Sequence, residues 1–256
     1  GNETEITEMK TRVDNFAKAY NEKYWDGTGY KDKDYKEYEG YDVRANAVAV
    51  LSGLASESRY SLISKVLTED FNNSTFMEKY VLEALCQMGY IKEAQNRIEI
   101  RYKDMVDGKD DFSTTLWEYW DAEKGTKNHT WAGGPLIIMS KYFAGIRPIK
   151  EGYSEILIKP ELGSIQWIEC RAPHNDGLID VNVRKTDKDF SIQINTPTKT
   201  LVALEIMSNN PVITCDGKTI YDDGKASNIQ NIRYDHKDDK YIYFNVKEGK
   251  YNFNSK

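Results

Sequence analysis

Three observations predict an α+β chain, an open arc of helical hairpins followed by an antiparallel β-sandwich. Apolar residues recur at helical spacing as far as about residue 145, they alternate with polar ones beyond it, and Gly145, Pro148 and Gly152 punctuate the change. The helical unit is expected over residues 1–147 and the sandwich over 148–256. A chain of 256 residues has the length for two such packed units.

Ile6, Met9, Val13, Phe16 and Tyr20 mark the first helix, and the glycines and charges between Trp25 and Gly40 end it. Further helices are expected over Asp42 to Ala55, Ser58 to Phe71 and Thr75 to Met88. The last of these has the clearest signals. Thr75 with Glu78 reads as a capping box, Met77, Val81, Leu85 and Met88 form one stripe, and Gly89 stands where a left-handed cap belongs. Ile91, Ala94, Ile98, Tyr102 and Met105 then outline a fifth helix so soon afterwards that the pair must fold back as an antiparallel hairpin.

Periodicity then lapses from Asp107 to Trp131, and a structureless stretch longer than about 12 to 15 residues in a compact unit is usually functional. Helix resumes near Gly134 and stops by Gly145. Beyond the boundary, Ile156 and Ile158, then Ile179, Val181 and Val183, then Phe190, Ile192 and Ile194 alternate with polar residues. Leu201 to Ile206, Tyr241 to Val246 and Tyr251 to Phe253 add strands, with Asp176-Gly177, Asp216-Gly217, Asp223-Gly224 and Glu248-Gly249 among the turns. Short strands so spaced indicate a sandwich. With about six helices the arc stays open, so apolar surface on helices one to three is expected to be uncovered and self-association to follow.

Composition narrows the function. Hydrophobic residues make up 39% and charged residues 30%, which excludes a wholly disordered chain. No apolar run approaches the roughly 20 residues of a membrane span. The net charge of −6 and the scattered lysines and arginines argue against nucleic acid as a partner. Cys86, Cys170 and Cys215 show no CxxC spacing and read as small hydrophobes. No phosphate loop, HExxH helix or GxSxG elbow occurs, so neither a metal nor another cofactor is expected.

The chemistry is sought in the aperiodic stretch. Thr114-Thr115-Leu116-Trp117-Glu118-Tyr119-Trp120-Asp121 is followed by Asn128-His129-Thr130-Trp131. A carboxylate among aromatics, with an amide and an imidazole close behind, matches the needs of a pyranoside site. Aromatic faces cover sugar C–H faces, polar groups fix hydroxyls, and the carboxylate activates water. Each residue alone has an ordinary reading: the tryptophans as core, Glu118 as a solvated carboxylate, His129, His174 and His236 as hydrogen-bonded structural histidines. Asp110, Asp111, Asp121 and Glu123 read as a solvated loop face.

The runs TTLWEYWD, KNHTWAGGP and KYFAGIRPIKEGYSEILIKP resemble the C-terminal part of bacterial α-L-rhamnosidases, and STFMEKYVLEALCQMGYIKEA resembles a late hairpin of the same enzymes. The likeness covers roughly residues 40 to 185. It implies a partial (α/α)6 toroid before the sandwich and inverting hydrolysis of terminal α-L-rhamnosides, so a rhamnose-containing glycan is the expected partner. By the same resemblance Glu118 is the general base and His129 contacts the sugar, with Asn128, Trp117, Trp120 and Trp131 as further substrate-binding residues. The family's general acid lies on earlier toroid helices, so the chain is expected to be the C-terminal portion of such an enzyme and inactive alone. A periplasmic or secreted location is favoured for a glycan-degrading bacterium; the compartment is otherwise open. Two alternatives stand beside this reading. One is a non-catalytic carbohydrate-binding protein, and the other a complete hydrolase of another helical-toroid family with Glu39, Asp42 or Asp121 as the acid.

Overall fold

A computed structural model describes residues 2–31, 40–108 and 115–256, so Glu39, Asp110, Asp111 and Thr114 lie outside the described residues. The chain divides into two compact units, Gly1–Pro135 and Leu136–Lys256.

The first unit contains α1 (Glu3–Tyr24), α2 (Val43–Leu51), α3 (Tyr60–Glu69), α4 (Thr75–Gln87) and α5 (Ile91–Asp107). Its core is built from one face of each of α2 to α5, with Val43, Ala47, Val50, Ile63, Leu67, Val81, Leu82, Leu85 and Ala94 at or near zero exposure. Gly89 adopts the expected left-handed conformation (φ 86°), and the Tyr90 N–H reaches back to the Leu85 carbonyl, turning α4 into α5. The start of α4 differs from the expected capping box. Ser74, not Thr75, is the N-cap, its hydroxyl accepting from the Met77 N–H, while Glu78 turns inward and is fully buried. α1 is helical as its spacing predicts, yet Ile6, Met9, Val13 and Phe16 are 48 to 60% exposed. The expected uncovered stripe is thus real on α1, whereas the apolar faces of α2 and α3 are mostly buried.

A short helical segment, α6 (Gly134–Ile138), continues as a π-turn over Met139–Phe143 and leads into twelve strands. The named strands are β1 (Ile146–Pro148), β2 (Glu155–Ile158), β3 (Trp167–His174), β4 (Gly177–Lys185), β5 (Phe190–Thr196), β6 (Lys199–Glu205), β7 (Val212–Cys215), β8 (Lys218–Asp222), β9 (Lys225–Ala226), β10 (Ile232–Lys237), β11 (Tyr241–Val246) and β12 (Gly249–Ser255). They form a five-stranded sheet ordered β1-β2-β6-β11-β10 and a seven-stranded sheet ordered β3-β4-β5-β12-β7-β8-β9. Alternate residues of both sheets, among them Ile156, Ile158, Val181, Ile192, Val202, Phe244 and Phe253, meet in one apolar core. The sandwich is antiparallel except for one pair. β2 lies parallel to β6, because the chain leaves β2 and returns only after building β3, β4 and β5 of the other sheet.

Candidate active site

Residues 115–129 follow a path without regular secondary structure, yet backbone hydrogen bonds fold them back on themselves. The Glu118 N–H donates to the Thr126 carbonyl and the His129 N–H to the Leu116 carbonyl, both at 2.9 Å. This pairing brings Glu118 beside His129 across a reversal of eleven residues. Gly125 makes the reversal at φ 66°, where a Cβ would stand 2.7 Å from both Glu118 Oε2 and the Tyr119 ring. Only glycine fits there without displacing the carboxylate.

The backbone of Glu118 is tied to the start of α4. Its carbonyl accepts from the Thr75 hydroxyl and, at 3.1 Å, from the Trp131 indole N–H. Its carboxylate is tied to the other arm of the reversal, where Oε2 accepts from the Thr126 N–H at 3.0 Å and from the Thr126 hydroxyl at 3.2 Å. His129 Nδ1 lies 4.0 Å from the same oxygen and 3.1 Å from the Thr126 hydroxyl. The Thr126 N–H, followed by its hydroxyl and the nearby imidazole, holds the Glu118 carboxyl below the ordinary glutamate range, so it is ionised at neutral pH. The side chain stays 19% exposed, open enough for water to reach.

Aromatic rings surround this group unevenly. Trp131 is 39% exposed and lies 4.1 Å from the His129 ring and 5.8 Å from Phe76. Tyr119 is 45% exposed and Asn128 is exposed. These surfaces can meet a ligand. Trp117 is buried, with its backbone N–H against Met105 Sδ, and presents no face to solvent. Trp120 is half-buried, edge-on to Tyr102, with its indole N–H donated to the Asn73 carbonyl at 2.7 Å. The motif thus splits in two: Glu118, His129, Trp131 and Asn128 stay accessible, and Trp117 and Trp120 pack beneath. In the sequence Thr75 reads only as a helix cap and Thr126 goes unnoticed, since a threonine has no local pattern that marks it as the partner of a distant glutamate.

The other titratable candidates are otherwise engaged. Asp42 caps α2 and pairs with Arg44, and Asp121 accepts from the Glu123 N–H and pairs with Lys124 at 3.3 Å. His174 accepts from the Asp176 N–H and lies 3.0 Å from the Tyr153 carbonyl, while His236 stacks on Tyr243. Among the described residues no group of three or more His, Cys, Asp or Glu side chains is placed to hold a metal ion, and no helix is long and apolar enough to cross a membrane.

Comparison with known proteins places these features in context. Residues 145–218 match the model of the bacterial alpha-L-rhamnosidase C-terminal domain. A search of curated proteins finds no match. Among solved structures, an α-L-rhamnosidase from Dictyoglumus thermophilum superposes on 99% of the chain with a TM-score of 0.79 at 20% identity. A Streptomyces avermitilis α-L-rhamnosidase, solved with L-rhamnose, covers 100% of it at TM-score 0.76 and 18% identity. An Aspergillus terreus α-L-rhamnosidase covers 98% at TM-score 0.67 and 13% identity. The chain therefore has the fold of part of these proteins, a partial helical toroid with a β-sandwich. It spans 29%, 24% and 27% of their respective lengths.

Proposed function

We propose that this chain supplies the general-base side of a glycoside hydrolase that removes terminal α-L-rhamnosyl residues with inversion, and that Glu118 is the base. The observation that carries this reading is the Glu118 carboxylate itself, held ionised by Thr126, beside an imidazole and exposed aromatic faces. An ionised carboxylate of fixed orientation can take a proton from water as the oxygen attacks the anomeric carbon. His129 then holds a sugar hydroxyl, Trp131 and Tyr119 offer apolar faces, Asn128 adds an amide, and Trp117 and Trp120 keep the loop in shape beneath them.

Inversion needs a second carboxyl about 6.5 to 9.5 Å away, across the scissile bond, to protonate the leaving oxygen. Asp42 and Asp121 are engaged in caps and pairs and Glu39 lies outside the described residues; following the family resemblance, this reading assigns the acid to earlier toroid helices. The 256-residue chain alone is then expected to turn over aryl α-L-rhamnosides negligibly. The exposed α1 stripe supports self-association as a further element, and light scattering that stays monomeric at high concentration would remove it.

The test places Glu118→Gln and His129→Ala in a full-length homologue. Glu118→Gln keeps size and hydrogen bonding but removes the basic oxygen, so kcat should fall by about 10²- to 10⁴-fold with rhamnose binding nearly unchanged by calorimetry. His129→Ala should weaken binding and rate together. A Glu118→Gln enzyme that keeps most of its kcat would make the carboxylate structural and leave a carbohydrate-binding role.

A further inference from the structure

We propose that the buried cluster of Glu78, Arg97 and Arg101, acting through Asn73, is the positioning device of the Glu118 loop, an inference that rests on the reading of Glu118 as the base. The cluster lies outside the TTLWEYWD and KNHTWAGGP runs that pointed to the site. Glu78 on α4 is fully buried, and its Oε1 accepts from Arg97 Nε at 2.6 Å. Its Oε2 accepts from Asn73 Nδ2 at 2.7 Å, Arg101 Nη1 at 2.9 Å and Arg97 Nη2 at 3.1 Å. Arg97, 2% exposed, also donates to the Leu67 and Asp70 carbonyls, so it ties the end of α3 to the same carboxylate.

Everything in the cluster converges on Asn73. Its side-chain oxygen accepts from both Arg97 and Arg101, and its backbone carbonyl accepts from Arg101 Nη2 at 3.2 Å. That same carbonyl receives the Trp120 indole N–H at 2.7 Å, and the Arg101 guanidinium lies 3.9 Å from the Trp120 ring centroid. Two residues further on, Thr75 binds the Glu118 carbonyl. The segment Asn73–Thr75 is thus a bracket that grips the site loop at Glu118 and at Trp120, and the charged cluster fixes the bracket.

Stability does not account for such a cluster. Replacing a buried ion pair or triad by packed apolar residues is often neutral or stabilising, because the desolvation of the charges offsets their attraction. What apolar packing cannot supply is a set of directional bonds that hold one carbonyl and one amide in place. The loop of residues 115–129 has no helix or sheet to define its path, so fixed donors at its base set where Glu118 stands. Arg101 suits the role, since its planar guanidinium both stacks on Trp120 and donates in two directions.

The test uses this chain and two signals that report position independently of turnover: the carbon-13 titration of the Glu118 carboxyl and the hydrogen exchange of the Trp120 indole. Arg101→Lys keeps a positive charge beside Glu78 but loses the planar stack and the fork to Asn73. The expected result is a Glu118 midpoint that rises toward 4.5, the ordinary glutamate value, as the Thr126 contacts loosen. Indole exchange should quicken by about tenfold or more. Val50→Ala, a core change at a residue whose carbonyl meets Gln87 at the far end of α4 from Glu78, should lower the melting temperature without moving either signal. Should Arg101→Lys fail to fold, Trp120→Phe removes the indole bond to Asn73 together with part of the ring surface against Arg101 and Tyr102, and is expected to raise the Glu118 midpoint likewise. Unchanged Glu118 titration in the folded variant, or an equal change in Val50→Ala, would overturn the proposal. Failure of the base reading appears separately, as retained kcat in Glu118→Gln.

Discussion

The two units bury polar groups in different ways. In the sandwich nearly everything between the sheets is apolar, and the buried polar side chains, Thr196, Thr200, Ser255 and Glu155, sit at strand ends. In the helical unit a carboxylate and a guanidinium, Glu78 and Arg97, lie in the interior beside Asn73 and Thr75. The first arrangement is non-directional and tolerates small shifts; the second holds specific atoms in specific places. Directional burial lies directly beneath the loop that carries Glu118. The contrast teaches that directional bonds, at the base of the Glu118 loop and again at Asn46, fix single atoms, while the interior between the sheets rests mainly on apolar area.

The contrast can be broken most strongly by removing one partner from each kind of interior. Glu78→Ala leaves two guanidiniums without their carboxylate and should cost about 3 to 5 kcal/mol. Ile192→Ala in the sandwich should cost about 2 to 5 kcal/mol through lost burial and a cavity. The distinguishing measurement is urea unfolding of Glu78→Met combined with Arg97→Met and Arg101→Met. Apolar replacement should recover much of the loss at the cluster, as no polar replacement can at Ile192.

A smaller effect separates two glycines with similar backbones. Gly125 (φ 66°) and Gly217 (φ 78°) both occupy the left-handed region, where alanine costs roughly 1 to 2 kcal/mol. At Gly217 a Cβ meets nothing, whereas at Gly125 it meets Glu118 and Tyr119. Gly125→Ala should therefore lower the melting temperature more than Gly217→Ala, and it alone should disturb the Glu118 carboxyl in a carbon-13 spectrum.

The pH dependence sharpens the same comparison. On the proposed reading the ionised Glu118 carboxylate is the base, so kcat should fall as pH drops through its pKa, and a depressed pKa moves that fall to the acid side of 4.5. Thr126→Val removes the hydroxyl bond and keeps the larger N–H contribution, so in a full-length homologue it should move the acid limb part of the way back up. An acid limb unmoved by Thr126→Val would separate Glu118 from the observed ionisation. The smallest effect is expected on α1. Val13→Ser alters a residue 58% exposed and should change unfolding free energy by no more than about 0.5 kcal/mol.

Periodicity made much of this fold legible before any coordinates. α4, its glycine cap and the turn into α5 follow from one stripe and one left-handed residue, both local properties. β1, β3, β7, β8, β9 and β10 were not legible. In β3 the inward residues Ile168, Cys170 and Ala172 include small ones, and β7 and β10 are interrupted where their registers shift. The parallel β2–β6 pair is a long-range choice that no local pattern encodes. At the site, the TLWE and NHTW runs pointed to Glu118 and His129, which the structure brings together. Their supports were hidden. Thr75 and Glu78 read as a cap because both types favour that position, but tertiary partners claim them, the Glu118 carbonyl in one case and Arg97 in the other. Trp117 entered the substrate-binding set through the family resemblance, although its residue type alone reads as core, and the structure buries it.

The account turns on whether Glu118 activates the attacking water. The most direct measurement is azide rescue of Glu118→Ala in a full-length homologue, using an aryl α-L-rhamnoside and following the product by proton NMR. A small anion needs no base to deprotonate it and can enter where the carboxylate stood. The account predicts that azide restores turnover and that the product is β-L-rhamnosyl azide, inverted at the anomeric carbon. Full turnover by Glu118→Ala without azide, or rescue that yields the α-azide, would contradict it.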